Sequence, residues 1–244
     1  NAAQIDNDPP VSELLREPDH RPSIVAAAGP SLAEHYDWIR EVRANHRLVS
    51  VNTALKPLLA AGLVPDVVVV IDSDEAGIVR HFETDLGACA DCALVYYPIV
   101  SPRVLSAWPG PRYWAVSHSA VFDELRAQAG PSELFTAGTV LHTAVDFAVR
   151  GGSPVVHLLG ADLSFPDEQR HVAGVVEPTA GEQPAAQSVT VRNADGQAVR
   201  TEVAFVGFLR DLETYIAGHP EVDFIQHGRR GARIAGTRLW EAET

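Results

Sequence analysis

Residues Ser23 to Leu32, Ser-Ile-Val-Ala-Ala-Ala-Gly-Pro-Ser-Leu, restrict the fold more than any other stretch of the chain. Small and apolar residues run between a polar residue and a glycine, the pattern of a strand buried on both faces. Gly29 allows a sharp turn, and Pro30 suits the first position of a helix, where a missing N–H costs nothing. Ser31 follows, with a hydroxyl and free backbone N–H groups at the helix start. Such an end favours anions, because unpaired N–H groups and the helix dipole both attract negative charge. The stretch therefore predicts a strand, a phosphate-sized turn and a helix.

The rest of the chain repeats that alternation. Leu32, Tyr36, Ile39 and Val42 recur at helical spacing. Leu48 to Val51 reads as a strand ending in Asn52-Thr53, before a helix carrying Leu55, Leu58 and Leu59. Val67 to Ile71 is an unbroken β-branched run, as expected in the middle of a parallel sheet, and it ends in Asp72-Ser73-Asp74. Further strands are expected at Ala93 to Tyr97, Tyr113 to Val116, Val155 to Leu159 and Val222 to Gln226. Helices are expected over Glu75 to Asp85, Ala120 to Ala129, Val140 to the Gly151-Gly152 stop, and Ala204 to Ala217. This is the pattern of an α/β fold with a doubly wound, mainly parallel Rossmann-like sheet. A long polar loop and a hairpin, residues 164–201, form a small C-terminal insertion, with Asn193-Ala194-Asp195-Gly196 as the hairpin turn. Residues 1–22 read as an N-terminal arm or linker, and residues 23–240 as one nucleotide-binding catalytic domain.

Charge and cysteine usage narrow the function. A net charge of −13 argues against nucleic acid as a partner, which would need a basic face. No apolar run approaches the ~18 residues of a membrane span. Cys89 and Cys92 form a lone C-x-x-C without a second ligand pair, so two reduced thiols in a cytoplasmic protein are expected.

Five polar tips fall at one edge of the expected sheet: Gly29-Pro30-Ser31, Asn52-Thr53, Asp72-Ser73-Asp74, Gly160-Ala161-Asp162, and Thr136 to Thr139 at a helix start. Doubly wound sheets bind ligands outside the carboxyl ends of their strands, so a nucleotide or sugar nucleotide is the expected ligand. Asp72 and Asp74 either cap the next helix or, with Asp162, hold Mg²⁺. Arg229, Arg230 and Arg233 are the densest basic cluster, suited to phosphate or carboxylate as well as to a solvated turn. His142 and His157 lie within apolar segments and read as core or interface residues.

These motifs carry a resemblance. Gly-Pro-Ser-Leu after the first strand, Val-Asn-Thr after the second and Val-Pro-Asp-(x)4-Ile-Asp-Ser at the third resemble the DUF115 family. Thr-Ala-Gly-Thr-Val, Leu-Leu-Gly-Ala-Asp-Leu-Ser-Phe, His-Val-Ala-Gly and Gly-Ala-Arg-Ile-Ala-Gly continue the series to Gly236. That family covers the flagellar Maf glycosyltransferases and the MptE-like hydroxymethyldihydropterin diphosphokinases. It is more distantly similar to bacterial sialyltransferases that use CMP-activated nonulosonic acids.

The resemblance implies a transferase that moves a nonulosonic sugar from a CMP-linked donor to a hydroxyl acceptor, with no metal required. It implies that Gly29 and Ser31 line the donor phosphate, that Asn52 bonds the donor, and that Thr136, Gly138 and Thr139 contact the nucleotide and the sugar carboxylate. His171 matches the general base, a task that suits an imidazole near neutral pH. Asp162 is the second candidate catalytic residue. Pro30, Thr53, Asp72, Ser73, Gly160, Arg229 and Arg230 complete the candidate donor site. The alternatives are a Mg²⁺- and ATP-dependent diphosphokinase, with Asp72 and Asp74 as metal ligands, and a non-catalytic nucleotide-binding module. The family usually carries a glycine where this chain has Ala27; were a positive φ required there, alanine would cost about 1 kcal/mol.

Overall fold

Valine- and leucine-rich runs form strands because branched side chains fit a pleated surface buried on both sides. A computed structural model describes residues 5–175 and 188–241. Its strands are β1 (Ser23–Ala26), β2 (Arg47–Val51), β3 (Val67–Val70), β4 (Ala93–Tyr96), β5 (Arg112–Trp114), β6 (Val155–Leu159), β7 (Ser188–Arg192), β8 (Ala198–Glu202), β9 (Asp223–Gln226) and β10 (Arg238–Leu239). Eight of them form one sheet in the order β10-β9-β6-β1-β2-β3-β4-β5, and every neighbouring pair is parallel. β7 and β8 form a separate antiparallel hairpin.

The helices are α1 (Val11–Leu14), α2 (Tyr36–Val42), α3 (Leu55–Ala60), α4 (Glu75–Phe82), α5 (Pro102–Ala107), α6 (Asp123–Ala129), α7 (Val140–Arg150) and α8 (Val203–Ala217). Central strand residues such as Ile24, Val49, Val69 and Leu158 are fully buried. The chain runs outward from β1 to β5, then returns to place β6 on the other side of β1. That reversal puts the topological switch point between β1 and β6, with its crevice at their carboxyl ends.

Three elements depart from the expected pattern. The helix expected directly after Gly29 begins as a tight 3-10 turn, Pro30–His35, before α2; such turns are common at helix starts. The Pro-rich connection after β4 contains α5, whose cap Ser101 accepts from the Arg103 N–H at 3.3 Å and whose first residue is Pro102. Both are ordinary helix-start signals. β10 is two residues long and carries no strand pattern of its own. The stretch before β1 packs on the sheet edge: Asp8 pairs with Arg112 at 2.9 Å and accepts from the Tyr96 hydroxyl at 2.9 Å, and Val11 is fully buried. Both cysteines are free and buried.

Candidate functional site

The switch point is held closed by backbone. Gly29 N–H donates to Gly160 O at 2.8 Å, and Ala27 N–H donates to Leu159 O at 2.8 Å. Gly29 has φ −68°, so the turn does not need a left-handed residue here. It needs space: a Cβ on Gly29 would lie 2.4 Å from both Asp162 Oδ2 and Gly160 O. Among the described residues, the non-glycine positions with positive φ are Leu163, Asp167 and Glu168, so Ala27 carries no such strain.

Asp162 is the hub of this corner. Its carboxylate accepts from the Ser31 N–H at 2.9 Å and is only 2 % exposed. Gly228 and Gly231 approach from the other side, where a Cβ would come within 2.7 and 2.6 Å of Oδ1. Burial lifts the Asp162 carboxyl above the ordinary range, against the pull of the Ser31 N–H. Asp162 thereby pins the 3-10 turn to the end of β6.

A hollow of about 200 Å³ opens beside this corner, lined by Gly29, Thr53, Thr139, Asp162, Arg170 and His171 among others. Phe205 and Phe208 of α8 close its apolar side. Thr139 caps α7, its hydroxyl accepting from the Leu141 N–H at 3.4 Å. The loop ahead of it is fixed from two sides. Asp146 accepts from the Phe135 N–H at 2.9 Å and from the Tyr215 hydroxyl at 2.7 Å. His142 Nδ1 accepts from the Ala137 N–H at 3.2 Å, so its proton sits on Nε2 and is donated to Phe208 O at 2.9 Å. Burial pushes the His142 imidazole down and keeps it neutral. His142 thus ties the Thr136–Thr139 loop to the helix that carries Phe208.

Arg170 stands next to His171 on the wall of the hollow. Its guanidinium grips both oxygens of Glu202, at 3.1 and 2.8 Å, and lies over the Phe165 and Phe205 rings at 5.5 and 5.0 Å. Glu202 is 7 % exposed, so the fork is held in one orientation. Nothing in the sequence marks Arg170, Phe205 or Phe208 as site residues. Arg170 is a single cation in a polar loop, and its phenylalanine partners come from another element.

The structure places the other candidates as follows. Gly160 lines the hollow with Gly29. Ser31 and Asn52 do not; both are 2 % exposed, and the buried Asn52 Oδ1 has no hydrogen-bond partner among the described residues. Pro30 is buried in the 3-10 turn. Thr136 donates to Thr139 O at 3.3 Å, and Gly138 packs near Phe208.

Asp72, Ser73 and Asp74 are exposed beyond β3 and do not reach the hollow. The surrounding protein, then Asp74, raises the Asp72 carboxyl although the residue still meets solvent. The expected grouping of Asp162 with Asp72 and Asp74 does not form. β1 and β2 stand between β6 and β3, which separates the strand ends by about 14 Å. Among the described residues no three His, Cys, Asp or Glu side chains are placed to hold a metal ion.

The expected arginine cluster is also dispersed. Arg229 pairs with Asp195 at 2.7 Å, Arg230 pairs with Glu34 and Asp167, and Arg233 holds Gln226 at 2.9 Å. Their charges meet local partners, and none lines the hollow.

The structure is similar to that of the Maf glycosyltransferase of Magnetospirillum magneticum AMB-1, with a TM-score of 0.74 and 20% identity. The match covers 92% of this chain and 34% of that one, so this chain spans about a third of that protein's length, and the likeness is one of fold. No curated protein matches the sequence. The family model described as 6-hydroxymethylpterin diphosphokinase MptE-like matches residues 1–168, well over half of the chain, and the chain belongs to that family.

Proposed function

We propose that this chain is a glycosyltransferase that moves a nonulosonic sugar from a CMP-linked donor to a hydroxyl acceptor. One observation carries the reading: His171, Arg170 and Thr139 share the switch-point hollow with Gly29. A volume of about 200 Å³ suits the phosphate and sugar end of such a donor rather than the whole of it. In the transfer, a ring nitrogen of His171 takes the acceptor hydroxyl's proton while that oxygen bonds to the anomeric carbon. The bond from that carbon to the phosphate oxygen breaks, and CMP leaves with the electron pair, inverting the anomeric centre. Arg170, oriented by Glu202, meets the donor's phosphate or carboxylate. Asp162 acts as a positioning residue, through Ser31 and the turn it fixes.

A second reading follows from the family description: transfer of diphosphate from ATP to a pterin-like alcohol. The exposed Asp72 and Asp74 would then hold Mg²⁺ together with phosphate oxygens, as Mg²⁺ usually takes one or two carboxylates. Thermal shifts across a nucleotide panel, with and without Mg²⁺, separate the two. Stabilisation by CMP alone supports sugar transfer; stabilisation by ATP only with Mg²⁺ supports the diphosphokinase. His171→Ala should lower sugar transfer by roughly 10²–10⁴-fold and leave the CMP shift in place. An unchanged rate removes His171 as the base.

A further inference from the structure

A second cavity, of about 700 Å³, opens between α2, β6 and β10 and shares no lining residue with the donor hollow. Trp38 and Trp240 form its walls, ring centroids 6.2 Å apart and planes at 65°. Buried imidazoles hold both indoles from behind. Trp240 stacks on His227 at 4.9 Å with an interplanar angle of 16°, and Trp38 lies 4.4 Å from His227 and 4.9 Å from His157. His157 Nδ1 and His227 Nε2 are 2.9 Å apart, and His157 itself reaches the cavity wall. Burial pushes these rings down, to about 4 for His157 and about 2 for His227, so the backing is neutral at physiological pH. The indoles are therefore preset, and little side-chain freedom is left to lose on binding.

The rim is polar and of mixed sign. Glu41 and Glu241 make no ion pair among the described residues, and Arg238 is held by Asp223. Arg238 is already balanced by Asp223 and Glu241, and Glu41 adds a further negative charge, so the rim disfavours a phosphate or other anion. A small organic cation would leave most of the volume unfilled and would face Arg238. An apolar ligand would desolvate three charged heads without giving them a partner. A polyhydroxylated ring meets every requirement. Its C–H face packs on an indole, and its hydroxyls donate to the carboxylates and accept from the guanidinium.

We propose that the Trp38–Trp240 cavity is a second ligand site of this chain, built to seat a neutral oligosaccharide. The test titrates the full chain with cellobiose, maltose, lactose and N,N′-diacetylchitobiose, without nucleotide, reading tryptophan emission and saturation-transfer NMR. At least one disaccharide is expected to bind with a Kd at or below about 10 mM. Trp240→Ala should weaken it roughly tenfold or more, and Glu41→Gln, on the exposed rim, should weaken it by a smaller factor. Circular dichroism of each variant confirms that it folds, and should Trp240→Ala fail to fold, Glu41→Gln alone decides. The proposal is overturned if no disaccharide binds, if binding persists unchanged in the folded variants, or if tetramethylammonium competes with the sugar. Because no nucleotide is present, these outcomes are separate from the success or failure of the donor-site reading.

Discussion

Strand β6 serves two cavities made of different materials. At its carboxyl end, Gly160 and Asp162 build the switch-point corner from backbone, glycine and one buried carboxyl group, with the hollow beside it. From its middle, His157 joins a stack of imidazoles and indoles: His35 from the turn before α2, Trp38 from α2, His227 just after β9 and Trp240 after β10. Both regions bury titratable groups, and in both burial favours the neutral form. The consequences run in opposite directions with pH. A buried carboxyl has its pKa raised and a buried imidazole has its pKa lowered. The switch-point corner therefore tolerates acid, and the aromatic cavity loses stability in it.

The largest effect should come from crowding the switch-point corner. Gly29→Ala puts a Cβ 2.4 Å from Asp162 Oδ2 and from the Gly160 carbonyl, and backbone cannot yield as a flexible side chain would. We expect a loss of about 3 kcal/mol or more in urea unfolding, together with loss of nucleotide-induced stabilisation. A variant as stable as the parent would show that the corner is looser than its contacts indicate.

The next effect separates the two regions by pH. His157 has a folded-state value of about 4, below the 6.5 of an ordinary imidazole, so the unfolded chain binds more protons between those values. Its contribution is complete above 6.5 and is lost as pH falls towards 4. Lowering the pH from 7 to 5 should cost about 2 kcal/mol from His157 alone, and His157→Gln should flatten that part of the profile. Equal slopes for the parent and the variant would contradict a neutral, buried His157.

The smallest effect belongs to Asp162. Burial raises the Asp162 carboxyl, so loss of its charge is not itself costly, and Asp162→Asn keeps the oxygen that accepts from the Ser31 N–H. The new amide nitrogen lies where Oδ1 finds no partner among the described residues, and the loss of stability at neutral pH should be limited to about 1–2 kcal/mol. A loss of several kcal/mol would mean that the ionised form holds the corner together.

Much of the sheet was legible. Val155 to Leu159 coincides with β6, and Val67 to Ile71 covers β3 with one residue to spare. These runs are readable because burial on both faces demands the same residue types at successive positions. The Gly29 corner was readable as a turn, but the close approach of Asp162 and Gly160 that selects the glycine was not, because those atoms come from another strand end. The arginine cluster misled because its members found separate partners: Arg229 and Arg230 met carboxylates from other segments, Asp195, Glu34 and Asp167, and Arg233 turned to Gln226 and Thr237. Arg170 had the opposite history: unmarked in sequence, it is fixed by Glu202 and two phenylalanine rings. The aromatic cavity left no sequence pattern, because its rings sit at positions as far apart as 38, 157 and 240.

Local chemistry in the chain determined where strands run, where Pro30 opens a turn and where α7 is capped, since those depend on near neighbours and on alternation of burial. Strand order decided the rest. By inserting β1 and β2 between β6 and β3, the tertiary structure parted Asp162 from Asp72 and Asp74. By folding α8 over the switch point, it brought Phe205 and Phe208 to the hollow beside Arg170 and His171. Spacing along a sheet edge follows from which strands pair, and that choice is made by the packing of the whole core.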